Sequence, residues 1–251
     1  MNPFFKNVFF KCVPKPMLPR GRASILMYHS VSDSGDYFSA ISLAVFKKQM
    51  AYLAGKKYSI IPLAELARRL RAHGPLGGAA VLTFDDGYHD NYTNVFPLLG
   101  QYGFPATIFI TTDLIGTPGY CSAEELRTMH RSGLISIEPH TLSHPKLAKL
   151  SRAEAAREIR ESRRVLQEIL GVAPTLFAYP YGSFSEETVG LVRDEGFAGA
   201  VTVEEGTVGP DTDPLCLPRN AVDSSTTFSQ FRGKVSRAID WYISFKTTFR
   251  V

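Results

Sequence analysis

Val81–Leu82–Thr83–Phe84–Asp85–Asp86–Gly87 is the stretch that decides how this chain is read. Val81, Leu82 and Phe84 form an apolar, partly β-branched run that reads as a buried strand. Nothing in strand packing calls for the two carboxylates that end it, and carboxylates are rarely buried without a partner. In folds of parallel strands wrapped by helices, the C-terminal strand ends are where side chains do chemistry. An Asp-Gly pair also makes an ordinary turn, so this stretch alone leaves both readings open.

The flanking sequence repeats the pattern. Ser24–Ile25–Leu26–Met27–Tyr28–His29 reads as an earlier strand with His29 at its exit. Ser42 caps a helix running to about residue 57, with Phe46, Met50 and Leu53 at helical spacing. A short strand near 58–61 and a helix over 63–70 lead back to the Asp-Asp strand. Beyond it come a helix ended at Gly103, a strand over 105–110, and a helix opened by the Ser122/Glu125 capping box. Leu134–Ile135–Ser136–Ile137 is the next strand, with Glu138, Pro139, His140 and His144 at its end. Ser151 and Glu154 box the start of a long helix over 152–170. Strands over 176–179, 199–203 and 215–222 and a helix from Ser185 complete the series. Strands alternating with helices through long connections predict an α/β fold of parallel strands.

The 251 residues suit one large domain, and their 44% apolar content supports a sizeable core. Three cysteines without close pairs argue against a disulfide scaffold and a thiolate zinc site. No phosphate-binding glycine loop follows the first strand, which argues against nucleotide chemistry. The net charge of +4 is concentrated at the ends. Lys6, Lys11, Lys15, Arg20 and Arg22 stand in residues 1–22 with no acid, and Arg232, Lys234, Arg237, Lys246 and Arg250 face only Asp240 after residue 228. The body is therefore mildly acidic, which does not suit a nucleic-acid groove. No run of 18 apolar residues exists, and the N-terminal 20 residues lack a secretory cleavage pattern. The expectation is a cytoplasmic protein or one peripheral at the inner face of a membrane.

Asp85, Asp86, His29, His140 and His144 all follow strand-like runs, so a parallel fold gathers them on one rim. His140 and His144 are flanked by Pro139 and Pro145, which favours a tight loop over a helix. Two imidazoles and a carboxylate suit Zn²⁺ or a similar divalent ion. A polar loop with two unrelated histidines is the plain alternative. Adjacent aspartates can divide the work, one binding the ion and the other accepting a proton from water. His29 is then the remaining strand-end histidine available as a proton donor.

Thr83–Phe84–Asp85–Asp86–Gly87, His140–Thr141–Leu142–Ser143–His144–Pro145 and Phe177–Ala178–Tyr179–Pro180–Tyr181–Gly182 resemble, in order, the first three motifs of the polysaccharide deacetylases, the NodB-homology domains of carbohydrate esterase family 4. The resemblance covers about residues 24–222. It implies a distorted (β/α)7 barrel and a metal-dependent hydrolase that removes N-acetyl groups from a glycan or glycolipid. It implies Asp85 as general base and Asp86, His140 and His144 as ligands of one divalent ion, with Zn first and Ni or Co as alternatives. It also implies an oxyanion donor in the backbone near Tyr181, in a loop shaped by Pro180 and Gly182. Tyr179 and Tyr88 are added as substrate contacts.

Two positions depart from the family pattern. Ala178 stands where most members have arginine, and no histidine follows His144 to supply the late acid histidine. The branch that deacetylates poly-β-1,6-N-acetylglucosamine is similar in having an early Tyr-His, here Tyr28–His29, and a Tyr-Pro-Tyr-Gly motif. This implies His29 as the acid. Leu217–Pro218–Arg219 also resembles that branch, and Arg219 is the candidate to orient Asp85. Tyr28, Tyr88, His89, Tyr92, Phe177 and Tyr181 are candidates for an aromatic sugar platform. The alternatives are an O-acetyl esterase or non-sugar amidase of the same mechanism, and a binding protein without turnover.

The sequence divides into a basic aromatic arm (1–22), the catalytic barrel (23–227) and a basic amphipathic helix (228–251). Phe228, Phe231, Val235, Ile239, Tyr242 and Phe245 recur at spacings of three and four in the last segment. A closing helix packed on the barrel explains this stripe. A sharper reading rests both termini on an anionic membrane. The expected partner is an N-acetylated sugar polymer, oligosaccharide or lipid-linked sugar.

Overall fold

The computed structural model describes residues 3–15, 17–33 and 39–249. Strands β1 (Ser24–Tyr28), β2 (Ala80–Phe84), β3 (Ala106–Ile110) and β4 (Ile135–Pro139) lie side by side and parallel, and β7 (Asn220–Ala221) joins the other edge of β1. A second parallel pair consists of β5 (Leu176–Ala178) and β6 (Gly199–Val201). Helices α2 (Leu43–Gly55) and α3 (Leu63–Arg71) lie between β1 and β2 in the chain. Helices α4 (Phe96–Tyr102), α5 (Ala123–Arg131), α6 (Arg152–Leu170) and α7 (Glu186–Asp194) follow β2, β3, β4 and β5. α1 (Pro3–Cys12) precedes the sheet, and α8 (Phe228–Lys234) and α9 (Ala238–Phe249) follow it.

Both faces of the strands are buried, which is why they read as continuous apolar runs. Ile25, Val81, Phe109, Ala178, Val201 and Leu217 meet inside the barrel. Their neighbours Leu26, Leu82, Phe84, Ile108 and Ile137 pack outward on Phe46, Met50, Leu126 and Met129 of the helices. The expected boxes at Ser122/Glu125 and Ser151/Glu154 both form.

The barrel closes through two unequal seams. Val201 of β6 bridges Leu217, in the chain entering β7. Between β4 and β5 the described residues form no strand ladder, and side chains substitute for one. The Glu138 carboxylate accepts from the N–H groups of Thr175 and Leu176, both at 2.8 Å, and from Ser136 Oγ at 2.7 Å. Burial pushes the Glu138 carboxyl up to about 7, against the pull of these donors.

Several local expectations differ from the structure. Residues 58–61 contribute only a bridge from Ile60 to Ala80. The strand expected over 215–222 is confined to Asn220–Ala221, because the chain leaves the ladder at Pro218, which has no N–H to give. Asn91–Val95 is a π-helical turn, with Phe96 N–H bonded to Asn91 O. Pro97 explains it: the ring cannot donate to residue 93 and crowds it, so the spiral widens by one residue.

Residues 228–249 form two helices instead of the one continuous helix expected. Ser236 makes the break, its Oγ accepting from Ala238 N at 3.2 Å and donating to Gly233 O at 3.0 Å. The apolar stripe faces the protein. Phe231, Val235, Ile239 and Tyr242 are buried, and Phe9 and Phe10 of α1 pack their rings at a tilt against Tyr242. Phe10 lies so close over Gly233 that no side chain fits there. Among the described residues no helix is long and apolar enough to cross a membrane.

Candidate metal centre and active-site cleft

β2 delivers the two aspartates to the barrel rim. Asp85 N–H donates to Tyr28 O at 2.9 Å, extending the β1–β2 ladder by one residue. Asp86 and Gly87 then adopt φ of 71° and 80°, so the chain turns and the neighbouring carboxylates diverge. Aspartate and glycine tolerate this left-handed backbone better than most residues.

β4 delivers the histidines. His140 N–H donates to Ile110 O at 2.8 Å, and the following turn brings Thr141 and His144 to φ of 66° and 63°. Glu158 of α6 clamps that turn, accepting from the N–H groups of Leu142 and Ser143 at 3.0 and 2.9 Å. Two histidines four residues apart thereby face each other on a tight loop, with Nε2 atoms 3.2 Å apart. Asp86 Oδ1 lies 3.4 Å from His144 Nε2 and 3.9 Å from His140 Nε2.

These three side chains fit a divalent cation. Donors about 2.0–2.1 Å from a tetrahedral ion stand roughly 3.3–3.4 Å from each other, and the observed separations bracket that figure. His140 Nδ1 is 2.8 Å from Ala178 O. A carbonyl only accepts, so Nδ1 carries the hydrogen and Nε2 turns a lone pair toward Asp86 and His144. Burial holds the His140 imidazole below its ordinary pKa, which favours the neutral, ligating form.

Asp85 stands apart from this cluster and is gripped by Arg219. The guanidinium is completely buried; Nη1 and Nη2 reach the two carboxylate oxygens at 2.6 and 2.7 Å. Its Nε donates to Thr202 O at 2.8 Å, and Nη1 also reaches Thr83 Oγ1 at 3.2 Å. Burial alone would raise the Asp85 carboxyl. The charge of Arg219, together with its hydrogen bonds, outweighs this and holds it at about 2.

His29 leaves β1 half-buried, and its carbonyl accepts from Asn91 Nδ2 at 2.9 Å. It lines a cleft of about 370 Å³ together with Asp85, Asp86, His140, His144, Tyr88 and Tyr181. Tyr181 is 58% exposed at φ 57°, its ring edge-on to His144 at 4.6 Å. Gly182 follows at φ 62°, where a Cβ would run into Val203. Pro180 is buried beneath the turn.

Other expected contacts lie elsewhere. Tyr179 is fully buried among Phe177, Phe184 and Val192 and does not line the cleft, because β5 alternation turns it toward the helices. Phe177 is core for the same reason. Tyr28 is buried and bonded to Gln49, and Tyr92 stacks on Phe96. Val203, Leu114, Tyr120 and Ser39 line the cleft without having been expected. Leu114, Tyr120 and Ser39 come from connections with no periodic signal, and Val203, expected at the end of a strand over 199–203, lies in the loop just past Val201.

Comparison with known proteins gives four further findings. A family model described as polysaccharide deacetylase matches residues 74–200. YxkH of Bacillus subtilis (strain 168), which carries a polysaccharide-deacetylase name, is 33% identical over 212 residues, covering 82% of this chain and 74% of its own. The poly-beta-1,6-N-acetyl-D-glucosamine N-deacetylase of Staphylococcus aureus (strain N315) is 26% identical over 194 residues, covering 72% of this chain and 67% of its own. Among solved structures, the Streptococcus pyogenes deacetylase PplD superposes with a TM-score of 0.80 over 87% of this chain and 100% of that one. At 22% identity that is a likeness of fold.

Proposed function

The chain belongs to the polysaccharide deacetylase family, and from that premise we propose that it removes the N-acetyl group of an N-acetylhexosamine in a glycan. The observation that carries this reading is the meeting of Asp86, His140 and His144 in one cleft that also holds Asp85 and His29. Zinc is the proposed ion, since two imidazoles and one carboxylate with open positions suit it. Bound there, the ion supplies a Lewis acid for the acetamide carbonyl and makes a nearby water more acidic.

The protein's own groups supply the rest. Asp85 accepts the proton of the attacking water, and Arg219 keeps that carboxylate ionised with both oxygens fixed. The N–H of Tyr181 donates to the oxygen that becomes negative. The N–H groups of Gly182 and Ser183 are spent inside the turn, on Tyr179 O and Pro180 O, which keeps its shape. His29 gives a proton to the departing nitrogen. Water and amide become acetate and a free amine.

An early histidine, the Tyr-Pro-Tyr-Gly loop and Arg219 support placing the chain near the poly-β-1,6-N-acetylglucosamine deacetylase branch. Contact of both termini with an anionic membrane would have to use outward positions such as Val8 and Trp241, since Phe9, Phe10 and Tyr242 pack inward. Sedimentation with anionic vesicles at low and high salt tests that contact, and no binding at low salt removes it.

Acetate release from N-acetylglucosamine oligomers, measured before and after chelation and after adding back zinc, tests the main proposal. Release that is indifferent to chelator, or an absence of release from every N-acetylated sugar, would overturn it.

A further inference from the structure

His29 is the first residue past β1, and the last ladder bond, from Asp85 N–H to Tyr28 O, stops one residue short of it. The sheet therefore does not fix its place at the rim. The π-helical turn over Asn91–Val95 does. Asn91 Nδ2 donates to His29 O at 2.9 Å. Asp90 accepts from Ser30 Oγ at 2.5 Å and from Val31 N–H at 2.9 Å, and Asn94 Nδ2 donates to Val31 O at 2.8 Å. His29, Ser30 and Val31 are thus pinned to this turn and the residue before it. Such turns concentrate at functional sites.

Asn91 is completely buried, and its amide has one orientation. Nδ2 faces two acceptors, His29 O and Asp90 Oδ1 at 3.0 Å, and a flipped amide would set its oxygen against both. That orientation leaves Asn91 Oδ1 buried without a partner among the described residues, which costs stability. A leucine of similar volume would avoid the cost, so packing alone does not call for an amide here. What the amide adds is a donor aimed at the exit of β1.

The connection that carries Asn91 also carries Asp85 and Asp86 at its start, and Asn91 N–H donates to Tyr88 O at 2.9 Å, closing the turn that leads from one to the other. His29 and Asp85 both line the metal cleft, whereas Asn91 stays behind its wall. A misplacement of about 1 Å in a catalytic group can cost on the order of 10²-fold in rate. Resting on the reading of His29 as proton donor, we propose that Asn91 is the positioning residue of that acid. By holding the His29 carbonyl it keeps the imidazole in place relative to Asp85, so that base and acid address the same acetamide group. It touches no reacting atom itself.

The test measures kcat and KM for acetate release from an N-acetylglucosamine oligomer by zinc-loaded protein. Asn91→Leu keeps the volume and removes the donor, and Asn91→Ser removes the reach without adding bulk. Melting temperature and zinc content show which of the two is folded and loaded. In such a variant kcat should fall about 10–100-fold, with KM within about twofold of the native value. The same replacement made on His29→Ala should change kcat by less than about twofold, because the group it serves is gone. Native kcat in a folded variant, a rise in KM alone, or a loss that multiplies with that of His29→Ala overturns the positioning role. Full activity of His29→Ala overturns the acid reading and this inference together, and native protein that releases no acetate overturns the deacetylase reading on which both stand.

Discussion

Arg219 holds both carboxylate oxygens of Asp85 across 134 residues of sequence; the guanidinium is wholly buried and the carboxylate nearly so, open only where it lines the cleft. A buried pair of this kind is costly to split, because the survivor is left charged without a partner. It also sets the ionisation of a proposed catalytic group, which is lowered to about 2 although burial alone would raise it.

Arg219→Met should therefore destabilise the fold by about 3–5 kcal/mol, measured by urea unfolding at neutral pH. In the same variant, burial acts on Asp85 without the opposing guanidinium and its carboxyl moves upward. The acid limb of acetate release should shift to higher pH than in the native protein. An unmoved limb would separate Arg219 from the function of Asp85.

Asp85→Asn should abolish acetate release while the protein still binds one zinc, because Asp85 is outside the cluster of Asp86, His140 and His144. His140→Ala should lose both metal and turnover. Metal content after dialysis, read alongside acetate release, distinguishes the two variants.

His29→Ala should keep its metal and slow turnover by roughly 10²–10⁴-fold, the usual range for a lost general acid. Full activity in this variant would remove the assignment of the acid.

Glu138→Ala should destabilise the protein, leaving the buried N–H of Leu176 without an acceptor at about 1–3 kcal/mol and loosening the part-buried N–H of Thr175. Glu138→Gln keeps an acceptor oxygen and should recover most of that loss. Equal urea midpoints for the two variants would show that the seam between β4 and β5 does not depend on this side chain.

Glu205 accepts from Lys234 at 2.9 Å and from Lys6 at 3.2 Å, tying α1 and α8 to the loop after β6. Burial would raise its carboxyl, but Lys234 and then Lys6 outweigh burial and lower it to about 2. A carboxyl depressed on folding stabilises above its ordinary pKa and loses that contribution as pH falls toward the folded value. The stability gap between native protein and Glu205→Gln should thus be full above about pH 5 and close as pH approaches 2. A gap that persists at pH 2 would show that the ion pairs are not its source.

The sequence by itself determined what depends on near neighbours in the chain. Apolar runs ending in Asp85–Asp86 and in His29 announced strands and their rim. Pro139 and Pro145 announced the tight loop in which His140 and His144 face each other, and Ser122 and Ser151 announced their helices. Tertiary structure decided whatever depends on closing the barrel. Arg219 was named through resemblance alone, since nothing local ties it to a carboxylate 134 residues away. The Glu138 seam, the inward turn of Tyr179 and the bond from Asn91 to His29 O had no such signal. Periodicity and capping record contacts between residues a few positions apart. Which strand edge meets which, and what that meeting leaves for a buried charge to pair with, is settled only when distant segments pack.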